Sequence, residues 1–360
     1  MPRNATPERL LFIDALRGAI ALIVVLAHAL PTSLPGLSQV DPLNALGHAG
    51  ILVFFMVSGF FLPITCENGG SVLRFWMRRF FRLFPVYWAS LAAAFALSCL
   101  RIQVLSSPPE GMSTTAWLLN ICMLQDLVRQ PSALYVYWTL PLELAIYGAF
   151  SLLYVVRLQL KSGWMVAAML AAFALSGAFR VAHGQNFGFS SARLVFFAPL
   201  MGLLAYRYVA GQSGPRPMIA LALGQAALFA TGHLAEAALG LPADEQLRAL
   251  VKTVTWVLAY SAFFVAFANR RRRMPASLAW VGKISYSLYL LHILAMTFLL
   301  PLGLPAWAYF PALFGTTLLV AGISYRLIEA PSIALGRALE RRLLPQRPLT
   351  PVLSETRRAA

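Results

Sequence analysis

Stretches of eighteen or more apolar residues with few or no charges recur along this whole chain. Such a stretch is long enough to cross the hydrocarbon core of a bilayer as a helix. In hydrocarbon every backbone N–H and C=O must find its partner within the protein, which leaves helices and closed barrels as the only spanning solutions. The expected fold is an all-α polytopic membrane protein. About ten spans are read: 11–30, 43–63, 83–100, 135–156, 163–179, 192–209, 218–239, 250–268, 278–300 and 305–328. The segment 117–127 is too short to span and is placed at the interface. Residues 1–331 form one transmembrane domain, and 332–360 are a basic, Pro-containing tail that starts as a short helix. Asp14 and Arg17 interrupt the first stretch, which argues against a cleavable signal peptide.

Charged residues make up only 12% of the chain, yet the net charge is +16. In a soluble protein that balance would suggest nucleic acid; here the positions of the charges decide against it. With the N-terminus inside, 22 of the 29 Lys and Arg fall on cytoplasmic segments, six fall outside, and Arg17 lies within the first span. This asymmetry is the positive-inside rule and puts both termini in the cytoplasm. Basic groups such as 270–273 then read as topology signals and contacts to anionic lipid headgroups. Cys66, Cys99 and Cys122 are scattered, with no metal-ligand spacing and no disulfide framework, and no metal site is expected.

Ionisable residues inside apolar spans are costly, at least ~2.5 kcal/mol each, and persist where they face a partner or a polar cavity. The first span holds three: Asp14, Arg17 and His28. Arg17 and His28 are eleven residues apart, three helical turns, and so share a face roughly 16 Å apart along the axis. A neutral imidazole can take a proton from a hydroxyl and return it; the plainer alternative is a histidine bonded to nearby backbone. Asp14 and Arg17 are three apart and can pair within their helix; otherwise Arg17 faces an anionic or carbonyl-bearing ligand. Glu143, in YWTLPLELAIY, is placed at the depth of His28, where a carboxylate can orient an imidazole or hold a neighbouring helix. Arg79 and Arg82 in FWMRRFFRLFPVYW face one way; their guanidinium forks suit phosphate oxygens, although a basic cluster there is also a common topogenic device. His48, His292 and Glu329 are read as interfacial or architectural.

Taken in order, these segments resemble the bacterial integral-membrane acyltransferase type 3 family, whose members include O-acetyltransferases of surface polysaccharides. IDALRGAIALIVVLAHA is similar to its opening helix with the Arg-x10-His motif at Arg17 and His28. GHAGILVFFMVSGFFL resembles its Gly-rich second helix, and MRRFFRLFPVYW its Arg-x-x-Arg at Arg79 and Arg82. YWTLPLELAIY resembles its Trp-Ser-Leu-x-x-Glu segment with Glu143 as the acid, and VGKISYSLYLLHI and SYRLIEAPS its closing signatures. Thr139 stands where Ser is usual, and Pro141 falls inside that motif. The chain resembles the stand-alone form without an esterase-like extracellular domain.

The resemblance implies a bacterial inner-membrane enzyme that moves an acyl group, most plausibly acetyl, from cytoplasmic acyl-CoA to a hydroxyl of an extracytoplasmic glycan or lipid-linked saccharide. Acetyl-CoA phosphates would meet Arg79 and Arg82, and His28 would be the general base with Glu143 or Asp14 orienting it. Arg17 would stabilise the oxyanion or position the thioester. Two other classes fit a many-span protein with buried charges: a proton-coupled transporter and a membrane component of a polysaccharide-assembly complex. The acceptor leaves no signature in the sequence. Tyr135, Tyr137 and Trp138 suit a sugar-stacking surface, but equally an interfacial aromatic belt, which is preferred.

Overall fold

The computed structural model describes residues 11–33, 41–67, 71–102, 104, 112–189 and 191–344. These form helices α1 (Leu11–Ser33), α2 (Asp41–Glu67), α3 (Val72–Cys99), α4 (Thr114–Ile121), α5 (Thr139–Val155), α6 (Ser162–Ala182), α7 (Ser191–Val209), α8 (Arg216–Ala238), α9 (Ala243–Ala268), α10 (Ala276–Lys283), α11 (Ser285–Leu299), α12 (Ala306–Ser324) and α13 (Ala330–Leu343), with no strand among the described residues. Nine helical segments among them are long and apolar enough to cross a membrane. The chain is therefore a multi-pass, all-α membrane protein. The span expected at 192–209 corresponds to α7, which carries Arg193 and Arg207 near its two ends and is not among the nine.

Three expected boundaries move, each for a local reason. The third helix begins at Val72 rather than 83 and takes in all four arginines of the basic cluster. It runs straight through Pro85, whose missing N–H deprives the Phe81 carbonyl of its i+4 partner. Ser332 Oγ donates to that carbonyl at 2.8 Å, so α13 repairs the gap that Pro85 leaves in α3. The span expected at 278–300 is instead two helices, α10 and α11, separated at Ile284. Finally, the last span, expected to end at 328, does not end there, and the helix runs on through Pro331. The chain widens into a π turn at Tyr325–Glu329, where the Ala330 N–H reaches the Tyr325 carbonyl, and continues as α13. The wider register accommodates a proline that would collide with an ordinary α turn.

The chain divides into two compact units. One comprises α1, α3, α4, the start of α5, and α10 to α13; the other comprises most of α2, the rest of α5, and α6 to α9. In the first unit α11 is the central helix. Every residue from Ser285 to Thr297 is buried, as expected of a helix that is apolar all round. Helix α1 lies against α10 at very close range: a Cβ on Gly18 would strike the Leu278 carbonyl, and one on Gly282 would strike the Asp14 carbonyl. Small residues are the usual device for such approach in membranes, where apolar burial gives no advantage over lipid. In the second unit Gly59 and Gly202 do the same, meeting the backbone of Pro199 and Met56 across α2 and α7. Substituting Gly282→Val should force α10 away from α1 and destabilise the protein by about 1–3 kcal/mol or more. A fall in Tm and in folded yield from detergent would register it; an unchanged Tm would mean that the crossing is looser than described.

The short α4 lies on the first unit through Asn120, which is fully buried. Its amide donates to Ala116 and Pro131 carbonyls at 2.8 and 2.9 Å, and its side-chain oxygen accepts from the Ala133 N–H at 3.0 Å. The Asn120 carbonyl in turn accepts from Tyr87 Oη at 2.6 Å.

Candidate active site

Every residue singled out in the sequence for chemistry lies in the first unit, and α1 forms its spine. Towards the start of α1, charges gather. Arg17 interacts electrostatically with Arg82 of α3, with Asp14 of its own helix, with Glu329 of the π turn and with Glu143 of α5. Asp14 also senses Lys283 at the end of α10 and Arg82. Glu329 has no exposed surface; its Oε2 accepts a 2.7 Å hydrogen bond from Ser287 Oγ of α11, and Arg82 and Arg17 are its charged neighbours. Arg17 is thus not claimed by Asp14 alone. It is one of two guanidinium groups set among three carboxylates, the five groups coming from four elements.

Arg79 points its guanidinium over the Phe75 ring, 5.3 Å from the centroid, a cation–π geometry. Arg74 and Arg78 have a structural partner. Glu340 of α13 accepts from Arg78 Nε and Nη2 at 2.6 and 2.7 Å and lies 3.2 Å from Arg74 Nε. Of the four arginines on this stretch of α3, two therefore dock α13. Arg82 faces the charged cluster.

At the other end of α1 the surroundings are imidazole and phenol. His28 Nδ1 lies 2.8 Å from the Val24 carbonyl; a carbonyl only accepts, so Nδ1 carries the proton and a neutral ring keeps its lone pair on Nε2. The ring lies 5.1 Å from that of His292 and 6.4 Å from that of Tyr135, centroid to centroid. Tyr135 is half exposed. The backbone bond at Nδ1 occupies the nitrogen that an orienting carboxylate would take. Asp14 is fourteen residues from His28 on one helix, about 21 Å along the axis, so it cannot orient that ring. By the same measure Arg17, about 16 Å away, does not reach the atoms His28 reaches, which sets aside its expected part as oxyanion donor beside the base.

Hydrogen bonds between elements hold the ground between the two ends. Tyr289 Oη of α11 donates to the Val136 carbonyl at 2.7 Å and lies 3.0 Å from Thr139 Oγ1. The hydroxyl that replaces the usual serine thus pins the start of α5 to α11. Pro141 sits in the first turn of α5, where its missing N–H has no intrahelical duty. Ser90 Oγ and Tyr137 Oη are 2.6 Å apart, and Tyr286 Oη donates to the Leu83 carbonyl at 2.9 Å. These bonds tie α3, the turn at Tyr135–Trp138 and α11 into one frame.

Two residues read as architectural belong to the site: Glu329, within the charged cluster, and His292, facing His28. For Glu329 the sequence signal was an acid close to the end of an apolar span, where a charge calls for a partner. For His292 the signal was weaker: a lone histidine in a helix with no polar face.

The chain matches the family described as "Acyltransferase domain" over residues 10–326. Among characterised sequences it is 28% identical over 176 residues to acyltransferase MdmB of Streptomyces mycarofaciens, a match covering 46% of this chain and 44% of MdmB. It is 26% identical over 313 residues to the exopolysaccharide production protein ExoZ of Rhizobium meliloti, covering 81% of this chain and 92% of ExoZ. No solved structure matches. A family match that takes in α1 with its Arg17 and His28, the arginines of α3, Glu143, and the α10–α12 segment with His292 shows that this chain belongs to the membrane acyltransferase domain family and is an acyl-transferring enzyme.

Proposed function

We propose that the protein is an O-acyltransferase of a bacterial inner membrane. It moves an acetyl group from cytoplasmic acetyl-CoA to a hydroxyl of an extracytoplasmic glycan or lipid-linked saccharide. The observation that carries this reading is the division of α1 into a cationic end, with Arg17 beside Arg82, and an imidazole end at His28 whose Nδ1 is fixed by backbone. The separation of about 16 Å is of the order spanned by a pantetheine arm between nucleotide phosphates and thioester. With both termini cytoplasmic, as the distribution of Lys and Arg supports, the guanidinium end faces the donor pool and the imidazole end faces outward.

The chemistry then follows. Arg82, with Arg79 one turn away, holds donor phosphates. Arg17 positions the donor as it enters. His28 Nε2 takes the proton of the acceptor hydroxyl as its oxygen attacks the thioester carbonyl; the C–O bond forms, the C–S bond breaks, and the proton passes to the departing thiolate. Glu143 is the acid that keeps Arg17 in place rather than the one that orients His28. Tyr135, half exposed and with its ring beside that of His28, offers a flat face for an acceptor sugar. The name of ExoZ favours a polysaccharide among possible acceptors.

The test is mass spectrometry of surface glycans and lipids from a strain lacking the gene. One acyl mass is expected to disappear, to return with the wild-type gene, and to stay absent with a His28→Ala copy. An unchanged acylation profile, with movement of a solute that consumes no acetyl-CoA, would overturn the reading in favour of transport.

A further inference from the structure

The two imidazoles at the far end of α1 have matching tautomers. His292 Nδ1 lies 2.7 Å from the Tyr289 carbonyl, as His28 Nδ1 lies 2.8 Å from that of Val24. Both Nδ1 atoms are therefore donors, and each neutral ring offers its lone pair at Nε2. His292 is completely buried, and its Nε2 has no hydrogen bond among the described residues. A buried acceptor left empty is destabilising and rare enough in native proteins to require a cause. The rings are 5.1 Å apart with a 52° angle between their planes. Two imidazoles joined by an N–H···N bond have centroids about 5 Å apart, so the spacing of the two rings suits a bonded pair.

We propose that His292 is a positioning residue for the proton transfer: its Nε2 accepts a hydrogen bond from His28 once His28 is protonated. The inference rests on His28 being the base. At rest both Nε2 atoms carry lone pairs, and neither can donate to the other. When the acceptor hydroxyl gives its proton to His28 Nε2, that nitrogen becomes a donor, and the unshared lone pair on His292 Nε2 steadies it. As the C–S bond breaks, the same proton moves from His28 to the thiolate sulfur. His292 gains and loses no proton. An interaction that exists only as charge develops on His28 lowers the barrier without tightening donor binding. Its loss must therefore appear in kcat rather than in KM.

The experiment uses the full chain in membrane vesicles from the native host, with acetyl-CoA labelled in its acetyl group as the probe and the endogenous glycans as acceptors. His292→Asn keeps an amide donor for the Tyr289 carbonyl and removes the acceptor at the Nε2 position; His292→Gln places an amide oxygen near that position. The Asn variant should lose about 10- to 100-fold in kcat with KM for acetyl-CoA unchanged, and the Gln variant should recover most of the loss. Combining His292→Asn with His28→Ala should be no worse than His28→Ala alone, because the two rings act as a unit. Wild-type kcat in His292→Asn, or equal losses in the Asn and Gln variants accompanied by a lower Tm, would overturn the proposal. If the Asn variant does not fold, Gln against Met makes the same comparison at similar volume, with the same outcomes. Transfer that survives His28→Ala would instead defeat the base assignment itself, so the two failures are told apart.

Discussion

Replacing His28 with alanine should reduce acyl transfer by about 10²- to 10⁴-fold, the usual contribution of a positioned general base, while the protein still inserts and folds. The reason lies in what the ring does in the resting protein. It bonds to a carbonyl of its own helix and packs against the rings of Tyr135 and His292, so truncation removes packing and a side-chain bond to backbone. The Val24 carbonyl then loses only a side-chain donor; its place in the α1 backbone is untouched. Stability, read as Tm in detergent, should fall by no more than a modest large-to-small substitution costs, roughly 2–4 kcal/mol. Labelled acetyl-CoA turnover in vesicles measures the activity, and size-exclusion chromatography establishes that the variant is folded. Added imidazole should restore part of the rate by entering the space vacated. A folded variant that transfers acetyl at the wild-type rate would remove His28 from the chemistry.

The fold was legible because hydrocarbon allows so few solutions. Apolar windows located α1, α2, α6, α8 and α12 to within a few residues at most of their ends, since length and hydropathy alone decide a span. What the windows missed were helices whose continuation depends on a partner elsewhere in sequence. Helix α3 passes Pro85 because Ser332, 251 residues away, supplies the donor for Phe81. The last helix passes Pro331 because a π turn absorbs the ring. The break at Ile284 is equally a tertiary matter. Helix α10 is set by the glycine crossing with α1, whereas α11 is set by burial on every side.

The site was legible in part for the same reason. Arg17, His28 and Glu143 stood out because charge in an apolar window has a high cost, and the helical period gave the Arg17–His28 distance. The period also contained the answer for Asp14, whose separation from His28 follows from counting residues. It could not show which acid faces which cation, because that depends on how α1, α3, α5 and the π turn meet. Nor could it show that Arg78 is committed to Glu340 while Arg82, four residues on, faces Arg17; on α3 the two are nearly alike. A histidine on a wholly buried helix likewise gives no hint of its neighbour until α1 is placed beside it.

Arg82 carries two duties in this arrangement, and they predict opposite responses to a second substitution. As a charge it neutralises Glu329, which is wholly buried; as a fork it holds donor phosphate in the proposed mechanism. Arg82→Gln should raise KM for acetyl-CoA by about 10²-fold, the equivalent of roughly 3 kcal/mol for a lost charge-assisted bidentate contact. It should also lower Tm, because a buried carboxylate left with fewer cations is destabilising by several kcal/mol. Arg82→Lys keeps the charge and loses the planar fork, so it should keep Tm and still weaken donor affinity by about tenfold. Adding Glu329→Gln to Arg82→Gln should then restore Tm, since the amide oxygen still accepts from Ser287 and the unpaired charge is gone. It should not restore KM, because the phosphate has no guanidinium to meet. If the double variant recovers both, Arg82 serves only to neutralise Glu329, and the donor is held elsewhere. Thermal unfolding and labelled acetyl-CoA kinetics on the same four preparations separate these outcomes, because only the charge duty passes through Glu329.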